Sequence, residues 1–288
     1  MTTRPADRIP TQQTQRFTLG RIEGQIVSDG QAPYSPDLLF TNADPQELGP
    51  ALHGRLNEEG NLWTPYHCLL IRTPSTTILV DTGLGRQAAV TGAPAGHLLT
   101  SLAAAGVTPT DIDIVVLTHA HPDHIGGLIW GDGLTFGRAR HIMSRAEWEF
   151  WTSADSLATL PEMLAAPARA LLPPLSHAGV LDLIHGECEI SDGIHLVPAP
   201  GHTPGHCVVT LESDGTRVAF LADAALNPLQ LAHPRWISAV DLAPEQTIST
   251  RLRLLDQAAR DDSLVLASHM PGIGHIQRTS GGYALVPQ

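Results

Sequence analysis

Thr118-His119-Ala120-His121-Pro122-Asp123-His124-Ile125-Gly126-Gly127 places three imidazoles and one carboxylate within a few consecutive residues. The block follows the apolar run Ile114-Val115-Val116-Leu117, which reads as a strand buried on both faces. His119 and His121 alternate at the end of that strand, so a bend is needed before both can face one ion. Pro122 and the Gly126-Gly127 pair supply bends, and Asp123 and His124 then fall at the start of a helix. Histidine is the commonest metal ligand. A zinc ion with a catalytic role needs about three protein ligands plus water. Four ligands this close together exceed that need and point to two metals, with His119 and His121 on one and Asp123 and His124 on the other.

Outward from this block, the same pattern repeats. Short apolar runs lead from residues 77–80 to Asp81, from 194–201 to His202, from 218–222 to Asp223 and from 264–268 to His269. Strands that share a direction gather their last residues at one edge of a sheet, and sites in α/β proteins lie off the carboxyl ends of strands. Helical patterns cover residues 98–105, 145–153, 159–172 and 244–260. The alternation predicts an α/β fold of two mixed sheets flanked by helices. A flexible arm is expected over residues 1–16 and a single domain over 17–288, with a loop-like extension at 17–50.

Composition narrows the chemistry. The chain has 288 residues, a formal net charge of −12 and 17 basic residues, none of them lysine. A general nucleic-acid binder needs a basic footprint, so no nucleic-acid partner is expected. Without lysine, a Walker-type phosphate loop and Schiff-base catalysis are excluded. Three scattered cysteines, Cys68, Cys188 and Cys207, are too few for a disulfide framework and fit a reducing compartment. The N-terminus lacks the apolar run of a signal peptide, and no stretch has the length of a membrane span. A cytoplasmic protein with a small-molecule substrate, no membrane association and compatibility with a homodimer is the expectation.

The block at 118–127 resembles the hallmark H-x-H-x-D-H of the metallo-β-lactamase superfamily. The resemblance runs from about residue 62 to the C-terminus. Asp81-Thr82-Gly83 is similar to that family's aspartate turn behind the metals, Gly201-His202-Thr203-Pro204-Gly205-His206 to its third histidine, Asp223 to its metal-bridging carboxylate and His269 to its last ligand. It implies an αββα sandwich holding two divalent ions, with Zn2+ preferred and Mn, Co or Fe also suited to imidazole and carboxylate. One ion would take His119, His121 and His202, the other Asp123, His124 and His269, with Asp223 between them. The implied activity is hydrolysis by a metal-bridging hydroxide, with Asp223 setting metal separation and Asp123 aiding proton transfer. Asp81 is expected to orient a ligand histidine, because ligating imidazoles usually donate their second N–H to an oxygen. His206 either orients a ligand or holds the Gly-Pro turn.

A narrower resemblance, to methyl parathion hydrolase and related lactonase-like enzymes, rests on Ser268-His269-Met270-Pro271-Gly272-Ile273-Gly274-His275-Ile276 and on Glu149-Phe150-Trp151. The chain departs from that pattern by one residue fewer between His269 and Pro271, and by lacking an aromatic there. N-acyl homoserine lactone lactonases place a tyrosine three residues after the bridging aspartate, where this chain has Leu226. The expected pocket residues are therefore Trp151, Leu226 and His275, with core packing as the alternative for Trp151. The implied substrates are neutral esters, lactones or aryl esters, with organophosphate triesters as a side activity. A β-lactamase and a metal-binding effector or sensor with weak catalysis are the alternatives.

Overall fold

Along residues 77–80 and 114–117 successive side chains enter different cores. Ile78, Val80, Ile114 and Val116 point into one buried cluster, and Leu79, Val115 and Leu117 into another. These are strands covered on both sides, as their unbroken apolar character predicts. A computed structural model describes residues 15–288. The arm expected over residues 1–16 lies outside them except for its last two residues, and Arg16 already opens a strand.

The first sheet starts with β1 (Arg16–Leu19), β2 (Ile22–Tyr34), β3 (Leu62–Arg72), β4 (Thr77–Val80) and β5 (Ile114–Leu117). After a separate small hairpin, β6 (Ile129–Trp130) and β7 (Gly133–Leu134), it is completed by β8 (Arg140–Ser144) and β9 (Leu181–Ile184). The second sheet runs in chain order through β10 (Cys188–Ser191), β11 (Ile194–Pro198), β12 (Cys207–Ser213), β13 (Thr216–Phe220), β14 (Leu264–Leu266), β15 (Gly274–Arg278) and β16 (Tyr283–Pro287). β4, β5, β8 and β9 are mutually parallel, and so are β13 and β14; the remaining neighbours are antiparallel.

The sheets pack face to face. Leu69, Ile71, Ile78, Val80 and Val116 of the first meet Leu196, Val209, Leu211, Phe220 and Leu266 of the second in a shared core. The outer face of the first sheet buries Leu98, Leu102, Trp151, Ala165 and Ala168 from its covering helices. That of the second buries Leu254, Leu255 and Ala258 of the helix Pro244–Arg260. Burying each such leucine or isoleucine is worth about 1.5–3 kcal/mol, so the layers are held by ordinary hydrophobic packing. This is an αββα sandwich.

Two local expectations change. Residues 17–50 are not a loop-like extension: β2 pairs antiparallel with β3 from Glu23↔Arg72 to Tyr34↔Leu62. A register shift between Ser28 and Gly30 and polar residues on the open face mask its period-two pattern. The helix expected from residue 159 begins at Glu162, because Pro161 takes the extended N-cap conformation (φ −55°, ψ 138°).

Candidate metal centre and its cavity

The parallel ends of β4 and β5 set up the first half of the site. Asp81 leaves β4 with φ at 63°, in the left-handed region. That turn aims its buried carboxylate at the end of β5. Thr118 donates to it twice, from the backbone N to Oδ1 and from Oγ1 to Oδ2, both at 2.8 Å. His124 Nδ1 donates to Asp81 Oδ2 at 2.7 Å, which turns its Nε2 toward the cluster. Pro122–Ile125 form one helical turn with His121 as N-cap. Gly126 and Gly127 follow because the chain passes hard against its neighbours: a Cβ on either would collide with the Leu84 or the Thr82 carbonyl oxygen.

The second sheet supplies the other half. His202 Nδ1 donates to Asp241 Oδ1 at 2.8 Å. Ala222 has φ at 45° and delivers Asp223 from the end of β13. His206 holds the turn on both sides, donating from Nδ1 to the Ala199 carbonyl at 3.0 Å and accepting from the Asp223 N–H at Nε2 at 3.2 Å. His269 follows β14, and its Nδ1 donates across to the Pro65 carbonyl of β3 at 2.8 Å.

Seven donors converge from these ends. The ligand atoms of His119, His121, His202 and Asp223 lie within 4.8 Å of one another, and so do those of Asp123, His124 and His269. The Asp223 carboxylate faces both groups: Oδ1 is 3.2 Å from His124 Nε2, and Oδ2 is 3.1 Å from His269 Nε2 and 3.4 Å from His202 Nε2. His119 Nε2, His124 Nε2 and Asp223 Oδ1 are buried without a hydrogen-bond partner. Buried polar atoms are normally satisfied, so three orphaned ligand atoms in one cluster fit a pair of divalent cations.

Electrostatics agree. Burial, then the neighbouring His124, holds His119 well below the usual imidazole range, and burial with His202 does the same at His121. Both keep the neutral form that binds metal. Burial opposes protonation of His202, but Asp223 and Asp241 outweigh it and push it up to about 9. Burial would raise the Asp223 carboxyl, yet His124, His269 and His119 hold it well below the ordinary range.

A cavity of about 600 Å³ opens onto His121, Asp123, Asp223 and His269. Tyr34 and Tyr66 line it, with apolar walls from Leu38, Leu84, Leu164, Leu226 and Val240 and with Val90 and Met163 largely exposed beside it. No arginine lines it among the described residues.

Of the three expected pocket residues only Leu226 is there. Trp151 is fully buried behind His121, its ring edge-on to that imidazole at 5.4 Å and its Nε1 donating to Glu147 Oε1 at 2.7 Å. Its helix turns the indole inward, so it belongs to the core. His275 sits on β15, opposite Leu264 and Val286, with Nδ1 3.1 Å from the Asp262 carbonyl oxygen. His275 is not among the residues that line the cavity.

Four contributors escape the sequence reading. Asp241 lies in a loop without a motif. Tyr34 and Tyr66 belong to a strand pair whose first member was expected to be a loop. Glu147 is fully buried and accepts from Ala120 N, Trp151 Nε1, Thr203 Oγ1 and Gly205 N at 2.7–3.0 Å. Burial raises its pKa, and those four donors work against the rise. The only sequence signal for it is the Glu147–Trp151 spacing of four, which puts both on one helix face.

An αββα sandwich with imidazoles and carboxylates gathered where its parallel strands end defines a class, the metallohydrolases. The chain belongs to the metallo-beta-lactamase superfamily, whose family model matches residues 62–269. It is 27% identical over 228 residues to an N-acyl homoserine lactonase of Bacillus cereus, covering 73% of this chain and 83% of that protein. Among solved structures, AidC, a dizinc quorum-quenching lactonase in complex with a product, superposes with a TM-score of 0.86 at 27% identity. That match covers 96% of this chain and 97% of the other. The hydrolase AbOPH, in the beta lactamase superfamily, gives the same TM-score at 26% identity, with 96% and 97% covered.

Proposed function

We propose that the protein is a two-metal hydrolase of neutral cyclic or aryl esters, lactones foremost. The observation that carries this reading is the cavity: the metal-ligand cluster forms its floor, apolar side chains form its walls, and among the described residues no arginine lines it to hold an anionic substrate. His119, His121 and His202 would hold one ion and Asp123, His124 and His269 the other, with Asp223 shared. Zinc is the preferred metal. When bound, such ions supply a water whose pKa is lowered toward about 7 and polarise the scissile carbonyl. The residues of the chain do the rest. Asp81 and Asp241 fix the tautomers of His124 and His202 by accepting their Nδ1 protons. Asp123, partly open to the cavity, accepts the proton of the attacking water and returns it to the leaving alkoxide as the ester C–O bond breaks. The apolar walls exclude bulk water and accept an acyl or aryl group.

The deciding experiment is a hydrolysis panel of N-acyl lactones, aryl esters, paraoxon-type triesters and nitrocefin, with metal analysis on the same sample. Turnover highest on lactones or esters with close to two ions per chain is expected. Preference for nitrocefin, or folded protein without bound metal, would sink the reading. Triester turnover comparable to ester turnover would make the phosphotriester activity a primary one.

A further inference from the structure

The cavity holds one feature that neither metal ligation nor apolar packing explains. Tyr34 ends β2 and Tyr66 lies on β3, and their hydroxyl oxygens are 2.7 Å apart. Neither hydroxyl has another hydrogen-bond partner among the described residues. Two phenols carry two protons, and a single hydrogen bond between them uses one. The second proton has no acceptor among the described residues, and both side chains line the cavity beside Asp123, Asp223 and His269. Such a donor is costly to leave unmade in a buried setting.

Geometry distinguishes the two. Tyr66 is buried and packs edge-on against the His269 imidazole, with ring centroids 5.5 Å apart. The adjacent Pro65 carbonyl anchors the same imidazole. Tyr34 is half-buried at the strand end, sits between the Leu39–Phe40 group and the Tyr66–Leu84 group, and makes no ring contact with a ligand histidine among the described residues. Tyr66 is therefore the phenol tied to the metal side.

We infer that Tyr66 is a catalytic residue that donates its free phenolic hydrogen bond to the carbonyl oxygen of the substrate, with Tyr34 donating in turn to Tyr66. This rests on the ester and lactone reading above. As the water oxygen bonds to the carbonyl carbon, the carbonyl oxygen takes on negative charge. It then collapses back to C=O as the ring C–O bond breaks. Tyr66 keeps its proton throughout, and the only proton moved is the one that passes from water through Asp123 to the alkoxide. The bond strengthens as charge develops, which is how a preorganised donor accelerates acyl transfer. Accepting a hydrogen bond from Tyr34 makes the Tyr66 O–H a better donor, because chained hydrogen bonds polarise one another.

The test uses Tyr66→Phe, Tyr34→Phe and the double variant of the metal-loaded protein, with N-hexanoyl-L-homoserine lactone as substrate. Phenylalanine keeps the ring that packs on His269. Tyr66→Phe is expected to lower kcat about 100-fold with KM nearly unchanged, in line with loss of one oxyanion donor. Tyr34→Phe should lose about tenfold, and the double variant no more than Tyr66→Phe, because the two act as one unit. A second readout needs no turnover: the infrared carbonyl stretch of the bound lactam isostere should lie at lower frequency in wild type than in Tyr66→Phe. A kcat within about twofold of wild type, or a stretch that does not move, overturns the proposal while leaving the ester reading intact. Wild-type protein that cleaves no lactone or ester overturns both. Should Tyr66→Phe fail to keep its metal, Tyr34→Phe carries the test, and an unchanged kcat there overturns the assignment.

Discussion

Asp81 shows how much one side chain can organise. It accepts from Thr118 twice and from His124 once, and it does so from a left-handed backbone position that aspartate and asparagine tolerate better than most residues. Asp81→Asn keeps size and backbone but turns an amide N–H toward a donor. Metal affinity is expected to fall about 10–100-fold, the usual cost of losing a carboxylate behind a ligating imidazole. Chelator competition followed by elemental analysis would measure it, and wild-type affinity would reduce Asp81 to a turn residue. His141 offers a second test at this scale, away from the metals. It is fully shielded, donates from Nδ1 to the Ala139 carbonyl, and burial drops its pKa to about 4. The unfolded chain, with imidazole near its ordinary value, binds the extra proton first as pH falls. Stability is therefore lost between about pH 6.5 and 4, by roughly 3 kcal/mol at most, and is flat above that window. Melting temperatures across the range should fall more steeply for wild type than for His141→Asn. Equal slopes would remove His141 from the account.

At the scale of elements, the loops matter more than the strands that carry them. Glu147 starts the helix Arg145–Thr152 and ties two of those loops together. It binds Ala120 between His119 and His121, and it binds Thr203 and Gly205 on either side of the turn after His202. In Glu147→Gln the new amide N–H₂ meets donors on every side. Unfolding stability is expected to drop by about 1–3 kcal/mol, and zinc affinity should drop with it. A variant that melts lower yet titrates zinc like wild type would show the helix to be a prop and nothing more. This explains what could be read from sequence. His119 to Gly127 was legible because its ligands are contiguous and follow an apolar strand. The strands β5 and β14 were legible because they are apolar and buried throughout, β4 and β13 because their last three residues are, and β11 because Ile194, Leu196 and Val197 keep it largely apolar. β2 was not, since one face is half-open and a register shift breaks the alternation. Asp241, Glu147 and the Tyr34–Tyr66 pair were not, since each meets its partner only through tertiary contact. Trp151 was misplaced for the same reason: an aromatic on a helix near a site has the same composition whether it faces the cavity or the core.

At the scale of the whole molecule, the cluster lies on the seam between the sheets. His119, His121, Asp123 and His124 come from the first sheet and His202, Asp223 and His269 from the second. Bound ions would therefore act as a rivet through the sandwich. Each ion that binds only the folded chain adds about 1.4 kcal/mol for every tenfold rise in its free concentration above the dissociation constant. A rivet that forms only once the layers have docked is absent from the folding transition state. Added zinc should slow unfolding in denaturant in proportion to that gain and leave the refolding rate untouched; a refolding rate that climbs with zinc would place docking earlier. In a cell short of metal, the same feature makes scarcity a matter of lifetime. Chains without their ions would open more often and be degraded while open. The amount of enzyme present would then follow metal supply, even if every loaded molecule worked at full speed.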